Sequence, residues 1–390
     1  MLLLDLSHTS HTRARTGIQR VARAVQRELG GSAQAVAHDP FLQEWRALEP
    51  WEQANLADSR GGTKRGAQWP FSARWRGRLR RAFGLAASRA LAGEFDALIE
   101  PEVFSPAVAR ALPRLFAQVR GPRVAIFHDS IPLKFPELTP AATVARYPAY
   151  LQELLVFDGI AANSEDSRQA LTGYWRWLGV ANPPPVAAIA LGVTPFPPEP
   201  SASATPAGDL PIVLSVGTLE ARKNHLALLE ACERLWTAGK TFQLRIVGHV
   251  NAETGRAAAR RIALLRSAGR PIRFDGPASD EDVAQAYREC AFTVYPSIAE
   301  GFGLPVIESL ARGKPCVCSG RGALGEISRG GGCAAIDSLD PESLAVAIGR
   351  LLDQPAELAA LADIARERTF RTWADYTADL TAWIRSLPRR

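Results

Sequence analysis

The stretch 294–315, VYPSIAEGFGLPVIESLARGKP, carries the reading of the whole chain. An apolar β-type run closes at Ser297, a glycine-bearing loop follows, and Pro305 takes the start of a helix, where its fixed φ is favoured, with Gly313 as the stop. Strand, tight loop and helix are the front half of a βαβ unit. Open α/β sheets bind ligands beyond the carboxyl ends of their strands, so this loop is where chemistry belongs. Backbone N–H groups over 302–306 are unpaired in such a helix start and can face phosphate oxygens. Glu300 and Glu308 stand with seven residues between them, a spacing that can set one carboxylate toward each end of a bound diphosphate. One Glu near a helix start is ordinarily a capping or dipole effect; two of them bracketing Gly-Phe-Gly are harder to dismiss.

The same rhythm extends outward. Apolar β-rich runs at 124–127, 159–163, 211–217, 243–248, 292–297 and 315–319 alternate with helical patterns, the signature of parallel α/β sheets. The loop after 211–217, TLEARKNH, sets Arg222 and Lys223 just before a helix start at Asn224, a plausible anion site in which side-chain charge adds to free N–H groups. The segment 193–211 is rich in Pro, Ala and Ser and nearly free of charge, a semi-rigid spacer that splits the chain almost in half. Between 41 and 93 the rhythm fails, and an insertion or an extended helix and loop region is expected there. The last stretch, 372–387, is an amphipathic helix with Trp373, Tyr376, Leu380, Trp383 and Leu387 near helical spacing.

At 390 residues, 47% apolar and 22% charged, the chain is a folded protein of more than one domain. Its net charge of +6 is an average over unlike parts: residues 60–89 hold nine basic side chains and no acid. Five cysteines spread thinly are no disulfide framework, and Cys316 and Cys318 have no zinc-spaced partners nearby. The opening MLLLD is too short an apolar run for a signal peptide, and no apolar run reaches membrane-spanning length, so a cytoplasmic location is expected. Two patterns compete weakly for cofactors. Gly320-Arg321-Gly322-Ala323-Leu324-Gly325 has dinucleotide-type glycines but lacks room for the long helix that pattern requires. Asp280-Glu281-Asp282 follows Ser279 and reads as a capped helix start rather than a metal ligand set.

GTLEARKN, EGFGLPVIE and ARGKPCV, in that order, resemble the retaining nucleotide-sugar glycosyltransferases of family 4, strongly from about 210 to 340 and patchily before it. The resemblance implies an α/β GT-B fold: two Rossmann-like domains facing across a cleft, with the final helix crossing back. The expected divisions are an acceptor-side domain over 1–192 completed by 372–390, a Pro-rich linker over 193–210 and a nucleotide-sugar domain over 211–371. By the same resemblance, Arg222 and Lys223 neutralise the donor diphosphate and stabilise the departing nucleoside diphosphate. Glu300 touches the transferred sugar, the backbone of Gly301, Phe302, Gly303 and Leu304 lines sugar and phosphates, and Glu308 binds the ribose hydroxyls. Pro277 and Ala278 lie in the loop that reads the base. IFHDSIPL makes His128 a candidate contact to the donor sugar or its leaving oxygen. ARTGIQRV makes Gly17 a glycine that approaches the phosphate with a permissive backbone. NSEDSR, 163–168, is best read as a helix cap. Many members carry Arg where Thr218 stands here, which shifts the phosphate contact onto Arg222 and Lys223.

The expected function is a retaining, metal-independent hexosyl transfer from a sugar nucleotide to a glycan or lipid-linked glycan in surface polysaccharide synthesis. Mannose or rhamnose is favoured as the sugar and GDP-mannose as the donor, with no bound cofactor. The alternative is a non-transferase GT-B protein such as a sugar-nucleotide epimerase or a nucleotide-sugar-binding protein. The basic segment with Trp69, Trp75, Leu79 and Phe83 is read as a face for an anionic membrane, and nucleic acid is not expected as a partner.

Overall fold

The computed structural model describes residues 1–58, 66–87, 89–91, 93–196 and 210–388. Most of the Pro-rich linker, and Arg60, Lys64 and Arg65 of the basic run, lie outside the described residues. The leucines that open the chain form β1 (Leu2–Asp5) at the heart of a sheet. That sheet is completed by β2 (Ala33–Asp39), β3 (Glu44–Ala47), β4 (Ala97–Glu100), β5 (Arg123–Phe127), β6 (Gly159–Ala162) and β7 (Val186–Ala188). Its order is β3-β2-β1-β4-β5-β6-β7, parallel except for β3, which returns antiparallel on β2 at the edge. The second sheet uses β8 (Ile212–Val216), β9 (Gln243–Val247), β10 (Ile272–Phe274), β11 (Phe292–Tyr295), β12 (Cys316–Ser319) and β13 (Cys333–Ile336). It is parallel throughout, in the order β10-β9-β8-β11-β12-β13.

Strands buried on both faces read as continuous apolar runs, which is why LLLD, ALIE and CVCS lie inside the sheets and not at their edges. Both sheets reverse direction of growth in the middle, at β1/β4 and at β8/β11, and each reversal opens a crevice at the strands' carboxyl ends. The loops after β1, β4 and β5 therefore face those after β8 and β11.

In the first half, α1 (Gly17–Leu29) follows β1; α2 (Pro50–Ala57) and α3 (Phe71–Ala82) occupy the region where the β/α rhythm lapses. The final helix, Trp373–Ser386, packs back on the first sheet's side: Tyr376, Leu380 and Ile384 are buried in one cluster with Val21, Val25 and Leu29 of α1. The chain crosses over where Val193 N donates to Arg371 O at 2.8 Å. Gly192 is required there, since a Cβ would stand 2.3 Å from Thr372 O. Among the described residues no helix is long and apolar enough to cross a membrane.

Candidate active site

After β8 the chain makes a single 3-10 turn, Ala221–Lys223, and Asn224 takes a left-handed conformation, φ 54°, to launch the helix His225–Thr237. Ile298 N donates to Arg222 O at 2.8 Å, tying this turn to the loop after β11. Glu300 is clasped between the two cations: Arg222 Nη1 donates to its Oε2 at 2.7 Å and Lys223 Nζ donates to its Oε1. Arg222 also donates to Ala299 O at 3.1 Å and pairs through Nη2 with Glu220 at 2.6 Å. Burial alone would push the Glu300 carboxyl up, but Arg222 and Lys223 overcome it and hold the group down to about 2. Asp129, in the loop after β5 on the opposite half, is the contrary case: burial raises it against the pull of Arg222. The site therefore holds two cations against two carboxylates, Glu300 and Glu220, in charge-assisted hydrogen bonds.

Contacts between the halves surround this cluster. Arg20 of α1 pairs with the buried Glu308, and Arg15 pairs with Asp280. Gly301 touches the other half directly: a Cβ there would lie 2.0 Å from His128 O, and its own carbonyl accepts from Ser164 Oγ at 2.7 Å and Ser167 Oγ at 3.2 Å. Glu326 caps the helix Glu165–Trp177 from across the cleft, accepting from Glu165 N at 3.0 Å and Asp166 N at 2.7 Å. Gly303 sits at φ 111°, the conformation glycine favours, and launches the seven-residue helix Leu304–Leu310. The side chains of Phe302 and Leu304 are buried in the core. Pro277 is exposed in the loop after β10, and Ala278 packs against Leu214, Val247 and Tyr287.

Two expectations change. His128 is buried with both ring nitrogens engaged: Nε2 lies 2.8 Å from Pro101 O, which fixes it as the donor, and Nδ1 accepts from Asn163 Nδ2 at 3.0 Å. Burial holds it neutral, down to about 4. Its ring thus braces the first half's crevice, while its carbonyl meets Ser167 Oγ at 3.2 Å; no ring nitrogen is left for a sugar oxygen. Gly17 has an ordinary negative φ at the first turn of α1, and a Cβ there would meet open space, so the backbone freedom expected of it is unused. The helix-cap reading of 163–168 stands, with Ser164 Oγ accepting from Ser167 N at 3.1 Å. So does that of 279–282, where Asp282 N donates to Ser279 Oγ at 3.1 Å.

Sequence reasoning passed over Asp129 and Arg20, which have meaning only through partners far away in the chain, and Glu220, whose partner Arg222 is two residues on. It also missed three carboxylates, Asp5, Glu100 and Glu102, buried together where β1 and β4 end. Glu102 accepts from His8 N at 2.7 Å and Thr9 N at 2.6 Å, yet burial and Asp5 push it up to about 7. Among the described residues no cluster of His, Cys, Asp or Glu is arranged to hold a metal ion. A cavity of about 800 Å³ lined by Met1, Leu2, Asp96 and Pro122 lies at the amino ends of the first sheet's strands, the wrong end for this chemistry.

Fold and cleft together define a GT-B protein. Residues 199–368 match the family described as Glycosyl transferases group 1. Over 338 residues the chain is 26% identical to the serotype-specific mannosyltransferase WbdA of Escherichia coli, covering 81% of this chain and 38% of that protein. A shorter stretch of 108 residues is 38% identical to the MMP α-(1→4)-mannosyltransferase of Mycolicibacterium hassiacum, covering 27% of this chain and 26% of that one. The chain thus spans well under half the length of these relatives. Among solved structures, the sucrose-phosphate synthase of Thermosynechococcus elongatus superposes with a TM-score of 0.69 at 20% identity over 98% of both chains. The Anabaena protein Alr3699/HepE in complex with UDP gives 0.65 at 16% over 99% of both. At these identities the likeness is one of fold.

Proposed function

We propose that the chain is a retaining hexosyltransferase that moves mannose, with rhamnose as second choice, from a sugar nucleotide to a hydroxyl of a glycan or lipid-linked glycan in surface polysaccharide assembly. GDP-mannose is the first donor, and the chain works on the cytoplasmic side. The observation that carries this is the clasp of Glu300 by Arg222 and Lys223 at the β8/β11 reversal, facing Asp129 across the cleft. The names of the relatives support mannose. Lysine has three donors and arginine five, so each cation that holds Glu300 has further N–H groups to offer a diphosphate. As the bond from the sugar's C1 to the diphosphate oxygen breaks, these charges stabilise the departing anion, the role that metal ions fill elsewhere. The acceptor oxygen bonds to C1 on the same face and its proton passes to the departing diphosphate. Glu300, ionised, accepts hydrogen bonds from the sugar's hydroxyls, and Glu308 exchanges Arg20 for the ribose.

The test is a screen of sugar nucleotides for thermal stabilisation, followed by turnover with Glu300→Ala and Lys223→Ala. Each is expected to cost on the order of 10²–10³ in rate. Full activity in both would overturn the site, and stabilisation by NAD in place of a sugar nucleotide would overturn the class.

A membrane-facing role for the basic segment is a second reading, favoured by α3. Its small residues Ala73 and Gly77 turn inward, while Phe71, Trp75, Leu79 and Phe83, every fourth residue, stand 73%, 49%, 49% and 74% exposed on the opposite face. Arginines 74, 76, 78, 80 and 81 border that stripe, the pattern of a helix lying in an anionic lipid surface.

A further inference from the structure

The turn after β1, Thr9–His11, packs against α2 over a group of buried charges. Arg46 donates from Nη1 to Glu52 Oε2 at 2.7 Å and from Nη2 to Glu52 Oε1 at 2.8 Å; His11 Nε2 lies 2.6 Å from Glu52 Oε1; and Arg46 Nε reaches Asp39 at 3.3 Å. All four side chains are buried. Such a cluster is a poor way to gain stability, because taking ions out of water cancels most of their attraction. What it achieves is fixed geometry in whatever rests on it. Resting on it are two tryptophans. His11 stacks on Trp51 at 5.5 Å between ring centroids and lies 4.1 Å from Trp69; the two indoles meet edge to face at 5.4 Å, and the Arg46 guanidinium lies 5.7 Å from Trp69.

Beside these rings, and lined by them, opens a cavity of about 470 Å³, within the size range of small-ligand sites. Its walls are aromatic and its polar groups are planar: Arg13, Asn55 and Gln68. Arg13 Nε donates to Asn55 Oδ1 at 3.3 Å, and Asn55 Nδ2 to Ser10 O at 3.0 Å, so amide and guanidinium are held in place. Arg23 pins the same loop through Thr12 O and Ala14 O, both at 2.9 Å, and two residues past Arg13 the loop crosses the cleft, where Arg15 meets Asp280. The cavity is therefore a neighbour of the catalytic cleft on the half opposite the donor loops.

Rigid indoles beside planar amide and guanidinium groups suit one kind of molecule. A pyranose has a face of C–H bonds that lies against an aromatic ring and a rim of adjacent hydroxyls that planar donors and acceptors bind in pairs. An apolar ligand would make no use of the N–H groups Arg13 has beyond its bond to Asn55. We propose that this cavity is a glycan subsite, holding a hexose of the acceptor chain beyond the unit that receives the new sugar. It rests on the transferase reading for its purpose but not for its test.

The test uses the full chain without donor. α-Linked mannose, rhamnose and glucose oligosaccharides are titrated by saturation-transfer NMR and by tryptophan fluorescence. At least one series is expected to bind, Trp51→Ala to weaken it about tenfold or more, Trp51→Phe to restore most of it, and Arg13→Ala to weaken it several-fold. Because Trp51→Ala could loosen α2, the exposed Arg13 and Gln68 serve as independent variants. In turnover the same variants raise the acceptor KM and leave the donor KM unchanged. Absence of binding by every series, or wild-type affinity in Trp51→Ala and Arg13→Ala together, would overturn the subsite. Binding of nucleotides there in place of glycans would overturn it too. Loss of donor turnover with glycan binding intact would instead count against the transferase reading.

Discussion

Single residues here acquire their properties from partners distant in sequence. Glu300 is a largely buried and Glu100 a fully buried carboxylate, yet two cations hold the first down to about 2 while burial and the neighbouring Asp5 push the second well above its ordinary value. Glu100 Oε2 and Asp5 Oδ2 have no hydrogen-bond partner among the described residues, and we expect a proton held by Glu100 to lie between them. In the folded chain Glu100 keeps that proton at pH values where the unfolded chain has given it up. Its contribution to stability is thus full below about pH 4.5 and drains away as pH rises toward the folded value. Glu100→Gln offers the same hydrogen bonds without a titrating proton. We expect it to match the wild type within about 1 kcal/mol at pH 5 and to exceed it at pH 9, measured by denaturant unfolding. Parallel pH curves for the two proteins would refute the shared proton.

At the level of elements, α3 is turned inside out relative to an ordinary surface helix. Gly77 packs so closely that a Cβ would stand 2.9 Å from Phe41 Cβ, which fixes the inward face and leaves the large apolar residues outward. The arginines are partly engaged with the body: Arg80 donates to Ala86 O at 2.9 and 2.7 Å, and Arg78 lies over Phe41. If α3 meets an anionic bilayer, each basic residue near the surface adds about 1 kcal/mol. Neutralising Arg76, Arg78, Arg80 and Arg81 should then lower partition onto vesicles rich in anionic lipid by roughly 10²–10³ at low salt. Neutral vesicles serve as the control, and binding that survives neutralisation would sink the idea. In contrast, the final helix is an ordinary amphipathic element, as its spacing in the sequence indicated, and its apolar stripe finds α1.

For the molecule as a whole, the decisive contact is the one where the halves touch at Gly301. Any side chain there forces His128 O and the loop after β11 apart, because a Cβ would lie 2.0 Å from that oxygen. Gly301→Ala is expected to leave sugar-nucleotide binding by the C-terminal half largely intact while cutting transfer by about 10², since a displacement near 1 Å of one reacting group from another costs on that order. Steady-state kinetics beside calorimetric donor binding would separate the two effects. Unchanged kcat in this variant would show that the halves need not meet at Gly301 for chemistry.

Much of this was legible in the chain itself. Alternating apolar runs and helices indicate two mainly parallel sheets, and EGFGLPVIE with EARKN marks two loops that meet at the strands' carboxyl ends, because glycine, proline and capping preferences act within a few residues. The helix caps at 164–167 and 279–282 were legible for the same reason. What the sequence could not show is anything that depends on residues scores or hundreds of positions apart. Asp5, Glu100 and Glu102 meet only when β1 and β4 pair, and Arg20 finds Glu308 only when the halves close. His128 loses its free nitrogens only because Pro101 and Asn163 arrive beside it. Local sequence sets which elements form, since their energetics are short-ranged; tertiary packing sets which charges are paired and desolvated, and so which side chains remain able to act.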